Sequence, residues 1–79
     1  MASKSIFGIA AKDAKARVEA LTEREREVAG MIAMGEKHDD IAKKLGLSPK
    51  TCDIHRGNVK KKLQAETHGI ARIWFAAMA

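Results

Sequence analysis

Few side chains in this 79-residue chain are suited to covalent or metal chemistry: three histidines and one cysteine. Cys52 and His55 stand three apart, which on a helix puts them on one turn, but no second pair completes four metal ligands. A histidine beside a small core accounts for His55 better. His38, Asp39 and Asp40 are consecutive, and helical residues one or two apart do not face each other. They read as the first turn of a helix, where acids suit the positive end of the dipole. No glycine-rich phosphate loop follows a strand, because no strand is legible. The chain is therefore not read as an enzyme, and no metal or cofactor is expected. The chemistry that remains is ionic recognition, concentrated between Lys37 and Gln64: KHDDIAKKLGLSPKTCDIHRGNVKKKLQ.

That stretch reads as two helices joined by a tight turn. Ile41, Ala42 and Leu45 form an apolar stripe at helical spacing. Gly46 follows, where a left-handed residue ends a helix at little steric cost. Ser48 offers an oxygen to the next free N–H groups, and Pro49 is pre-set for a first helical position. A gap of about three residues holding a glycine is what a helix-turn-helix needs. Placing the second helix at about 100° per residue separates two sides. Cys52, Val59 and Leu63, flanked by His55, form an apolar side. Lys50, Asp53, Ile54, Gly57, Lys61 and Gln64 form a polar, basic side interrupted by one small residue. A second body can approach closely there, as in a recognition helix.

The remaining elements must support that helix. Residues 1–5 are small and polar and read as a frayed end. From Ile6 to Ala20 the composition is helical, with Phe7, Ala11, Ala14, Val18 and Leu21 forming a short a/d-like seam. It reads as a linker helix on the domain surface, with a dimerisation segment as the alternative. Thr22 to Gly35 is the best-delimited helix. Thr22 and Glu25 make a capping box, Val28, Ala29, Met31 and Ile32 supply a buried stripe, and Gly35 stops it. Leu21 precedes the cap, but its usual staple partner would be Arg26, so its apolar contact must lie elsewhere. After a connection over 64–69, Ile70, Ile73, Trp74, Ala77 and Met78 line a final helix of about ten residues. Trp74 reads as core closure, and any exposed part of this stripe as an interface.

Size and charge bound the reading. One domain is expected, near the lower limit for a single apolar core. Hydrophobic residues make up 46% and aromatics 4%, so the core must be mostly aliphatic and alanine. No stretch approaches the roughly 20 apolar residues of a membrane span, and no signal-peptide pattern opens the chain. A single cysteine excludes an intrachain disulfide and fits a reducing cytoplasm. Of the net charge of +5, residues 1–40 contribute −1 and residues 41–79 contribute +6. A basic excess confined to one helical unit points to a polyanion.

With LTEREREV at 21–28, Gly35, IAKKLGLSPKT at 41–51 and the H-R-x-N-V run at 55–59, the chain resembles the LuxR-type helix-turn-helix domain, most closely the FixJ branch of two-component response regulators. The resemblance covers roughly Leu21 to Met78. It implies an all-α, four-helix DNA-binding domain over 21–79, with residues 1–20 as tail and linker helix. It also implies transcription regulation by binding double-stranded DNA as a homodimer, commonly through the last helix: Ile70, Ile73, Trp74 and Met78. Positions matching Asp53, Ile54 and Gly57 face the major groove in that family, and those matching Lys50, Thr51, Arg56 and Lys61 lie within reach of phosphates. Asn58, in the same run, joins the DNA-binding set. Lys43, Lys44, Lys60 and Lys62 are expected to add electrostatic attraction. Many members carry valine at Cys52 and lysine at Asp53, although the FixJ branch has an acid at the latter. The usual S-N-K-E is Lys37-His38-Asp39-Asp40 here, so the serine cap is missing. The receiver domain of response regulators is not within these residues. Residues 6–20 fit both the end of an interdomain linker and the start of a free-standing regulator. The competing reading is a protein-interaction module that grips an RNA polymerase subunit or another regulator through Trp74 and the first helix.

Overall fold

The computed structural model describes residues 9–78 and holds five helices: α1 (Ala11–Glu19), α2 (Glu23–Ala33), α3 (His38–Leu45), α4 (Pro49–Leu63) and α5 (Thr67–Met78). No strand occurs among the described residues. None of the helices is long and apolar enough to cross a membrane. The all-α expectation is met, with α2–α5 forming the four-helix unit behind α1.

The core is aliphatic, as the composition requires. Val28, Ile41, Val59, Leu63, Ile70 and Ile73 are fully buried and draw α2, α3, α4 and α5 around one centre. α1 packs on α5 and touches α4, and its Ala14 is completely buried. Its seam is thus occupied within the chain. Ala11 and Val18 are half-buried and Leu21 is buried, while Phe7 lies outside the described residues. Arg17 Nη1 also donates to the Leu63 carbonyl at 3.2 Å, tying α1 to the end of α4.

The helix ends show how local sequence sets the boundaries. The capping box forms as expected: the Thr22 hydroxyl accepts from the Glu25 N–H at 3.2 Å, and the Glu25 carboxylate accepts from the Thr22 N–H at 2.9 Å. α2, α3 and α4 then end alike. Glu36 N–H reaches the Met31 carbonyl, Leu47 N–H that of Ala42, and Ala65 N–H that of Lys60. Each closure needs one left-handed residue. Gly35 (φ 86°) and Gly46 (φ 67°) supply two, but Gln64 (φ 55°) supplies the third.

Two boundaries differ from the sequence reading. The first helix begins at Ala11, with Ile9 and Ala10 preceding it, and Ile6 to Gly8 fall outside the described residues. The last helix begins at Thr67, so Gly69 is not in a loop. Gly69 is buried, and a Cβ there would lie 3.2 Å from the Ala65 Cβ. It permits a close turn into α5 rather than breaking the helix.

Glu25 does more than cap. It is the one buried charged residue described, and the Lys62 ammonium donates to its Oε1 at 2.7 Å, joining the start of α2 to the end of α4. Burial alone would raise the Glu25 pKa. The Lys62 ammonium and the Thr22 N–H and hydroxyl outweigh it and hold the carboxyl below the ordinary glutamate value of 4.5. A depressed pKa in the folded state contributes stability that is complete above that ordinary value and is lost as pH falls through the folded-state pKa. Glu25→Gln keeps an acceptor for the cap but removes the charge. It is expected to cost about 1 kcal/mol at neutral pH and to flatten the decline of stability on acidification. Thermal melts from pH 7 to pH 3 check this, and a decline parallel to that of the parent would refute it.

Candidate nucleic-acid interface

α3 and α4 meet through the Gly46–Ser48 turn. Ser48 Oγ accepts from the Thr51 N–H at 3.1 Å and donates to Thr51 Oγ1 at 2.9 Å, with Pro49 in the first helical turn. Lys37, the residue before α3, gives it no side-chain cap, as the missing serine implied. His38 Nε2 lies 3.2 Å from the Pro49 carbonyl, which can only accept, so that nitrogen is the donor. This contact holds the start of α3 against the start of α4.

The rotation of α4 follows from what it buries. Cys52, Val59 and Leu63 are in the core, and burial pushes the Cys52 thiol pKa up. Cys52 is thus a small core residue, without the lowered pKa of a reactive thiol. His55 is half-buried beside them. Among the described residues no three His, Cys, Asp or Glu come together in a group able to hold a metal. The opposite side is open: Lys50, Thr51, Asp53, Gly57, Lys61 and Gln64 are exposed, and Ile54 is 56% exposed despite its aliphatic side chain. Arg56, Asn58 and Lys60 are half-buried along the flanks.

The cations divide by partner. Arg56 Nη2 lies 3.0 Å from Asp53 Oδ1, Lys60 pairs with Glu66 at 3.3 Å, and Lys44 pairs with Glu36. Lys43, Lys50 and Lys61 have no ion pair among the described residues. Exposed pairs are worth little and exchange readily, so Arg56, Lys60 and Lys44 can be released to an external anion. Lys62 differs. It was expected to join the basic field, but it is bound to nearly buried Glu25 and holds the fold. The sequence held a signal for this. Lys62 lies seven residues after His55, on the same side of α4, and Glu25 lies three and four residues before Val28 and Ala29, on the buried side of α2.

Gly57 gives the clearest geometric statement. A Cβ built there meets nothing within 4 Å, so no internal packing requires a glycine at this exposed mid-helix position. Gly69 and Gly30, by contrast, are each crowded by a neighbour.

The residues expected on a dimer face are not equally available. Ile70 and Ile73 are spent inside the chain, because α5 turns them onto the core. Trp74 is half-buried, and only Met78, at 66%, is well exposed. Phe75, which the sequence reading passed over, is 37% exposed.

The family model described as "Bacterial regulatory proteins, luxR family" matches residues 19–73, from the end of α1 into α5. Transcriptional regulatory protein UhpA of Escherichia coli (strain K12) is 51% identical over 55 residues, covering 70% of this chain and 28% of that protein. Transcriptional regulatory protein FixJ of Rhizobium meliloti (strain 1021) is 40% identical over 57 residues, covering 72% of this chain and 28% of that protein. The chain thus spans little more than a quarter of the length of these relatives. Both names are those of transcriptional regulators. Among solved structures the chain finds no match.

The division of the lysines is open to measurement. With mixed-sequence duplex DNA, log affinity should fall linearly with log salt concentration. Lys61→Ala should flatten that slope by about one. Lys62→Ala should leave the slope unchanged and lower the melting temperature instead. Equal effects of the two substitutions on the slope would contradict the assignment.

Proposed function

Since this chain belongs to the luxR family of bacterial regulatory proteins, we propose that it binds duplex DNA sequence-specifically through α4 and regulates transcription in the cytoplasm. The observation that carries this reading is the open side of α4. It combines free cations at Lys50 and Lys61, an exposed aliphatic group at Ile54, and a glycine that its own fold does not need. A glycine inside a helix costs about 1 kcal/mol relative to alanine. An outer body pressed against that point is a physical reason to retain it.

In this reading Lys50, Thr51, Arg56, Asn58, Lys60 and Lys61 meet phosphates, assisted by Lys43 and Lys44, and set the register of the helix in the major groove. Asp53 accepts from a cytosine amino group and Ile54 touches a thymine methyl. Asp53 is bonded to Arg56 in the free chain, so base reading exchanges one partner for another and releases Arg56 to a phosphate. Two copies bind paired half-sites. Their contact is confined to what α5 leaves exposed, Phe75 and Met78, rather than the buried Ile70 and Ile73.

Two substitutions test the reading from opposite directions. Gly57→Ala should stabilise the free domain by up to about 1 kcal/mol while weakening DNA binding, measured by melting and by titration with duplex. A gain in both would remove close approach at Gly57. Asp53→Asn should change the preferred base at one position, altering discrimination there by ~1–3 kcal/mol. Selection from randomised duplexes with both proteins reads this directly. Uniformly tighter binding with unchanged preference would mean that Asp53 only tempers charge, and selected sites lacking a two-fold repeat would count against paired binding.

A further inference from the structure

α2 and α5 form a second surface that DNA reading leaves unused. A groove of about 580 Å³ there is lined by Gly30, Met31, Met34 and Trp74, and no residue of α4 contributes to it. A Cβ at Gly30 would lie 3.1 Å from Trp74 Cζ2, so the indole rests close against the backbone of α2 because that residue has no side chain. Met34, at the end of α2, is 72% exposed, the most open of the large hydrophobic residues described. The lining along α2 runs from Glu23 to Met34, roughly 16 Å or three turns of helix.

Dimensions and charge together select an occupant. A partner helix places anchors at i, i+4 and i+7 over about 10 Å, which fits within the groove. Methionine and tryptophan suit aliphatic anchors of varied shape. The polar lining is Glu23, Glu27 and Glu36 against the single cation Arg26. Glu27 shares Arg24 and Glu36 shares Lys44, while Glu23 has no ion pair among the described residues. Carboxylates in this number repel phosphate, so nucleic acid is the wrong occupant. From this complementarity we infer that the groove docks an amphipathic helix of a partner protein, one carrying Lys or Arg beside aliphatic anchors, while α4 stays free for DNA.

Trp74 is the only tryptophan in the chain and borders both this groove and a smaller one between α1 and α5, so its fluorescence reports on this face of the molecule and the groove variants locate the response. The probe is a 14-residue helical peptide of leucine and lysine, titrated into the full chain without DNA, with a leucine–glutamate peptide as counterpart. Because the protein carries a net charge of +5, attraction of the cationic peptide must be local. A saturable blue shift with the lysine peptide is expected. It should be weakened roughly tenfold, about 1.4 kcal/mol, by Met34→Glu and also by the double variant Glu23→Gln/Glu27→Gln, and left unchanged by Lys61→Ala. Circular dichroism checks that each variant remains folded. No shift at millimolar peptide, an equal response to the glutamate peptide, or indifference to either groove variant would overturn the inference. A shift that follows protein concentration without peptide would also overturn it, identifying a second copy as the occupant.

Discussion

α4 is subject to one constraint from which the rest of the molecule follows: it must fill the core and face outward at once. A chain this small has a single core, and Cys52, Val59 and Leu63 are inserted into it. Burying those three fixes the rotation of the helix, and rotation decides which side chains meet the outside. The other elements act to hold that orientation. α2 supports it from one side through Val28 and the Glu25–Lys62 bond, α3 through Ile41 and His38, and α1 through Arg17. Deleting bulk from the fully buried Leu63 would typically cost about 2–5 kcal/mol, a large share of the stability of a domain this size. It would also loosen the orientation of the open side of α4.

Sequence made much of this legible because the strongest signals are local. The Thr22–Glu25 capping box, the Gly46 stop and the Ser48-Pro49 start each involve residues within a few positions of one another, and all appear as expected. The two sides of α4 were equally readable, since helical periodicity alone separates Cys52, Val59 and Leu63 from Lys50, Ile54 and Lys61. What was hidden depends on distance along the chain. The pairing of Glu25 with Lys62 spans 37 positions, and whether Ile70 and Ile73 face inward depends on where α1 and α2 lie. Gly69 was misread for a related reason: a buried glycine and a loop glycine look alike until the neighbouring Ala65 is placed. Gln64 was unreadable on different grounds. Glycine dominates left-handed caps, so a glutamine there gives no signal.

Electrostatics in the free molecule are more restrained than formal charge suggests. Four cations of the basic half are matched to carboxylates, three of them in exposed pairs that water and salt already weaken. Such pairs act as a graded reserve. In the proposed reading a polyanion would compete for Arg56, Lys60 and Lys44 against weak internal partners, while Lys43, Lys50 and Lys61, which have no ion pair among the described residues, would need no exchange. Glu23 and Glu27 of α2 line a groove to which no residue of α4 contributes, so one small domain presents an acidic surface as well as a basic one.

Lys60, Lys61 and Lys62 are identical in sequence and unlike in consequence. Their ammonium groups meet exposed Glu66, open solvent and buried Glu25 respectively. Acylation would therefore have three different effects within one turn of helix. At Lys60 it would remove a weak surface pair. At Lys61 it would erase a free charge and leave the fold intact. At Lys62 the same acetyl group would strip a buried carboxylate of its counter-ion, so a modification usually associated with binding would there act on folding.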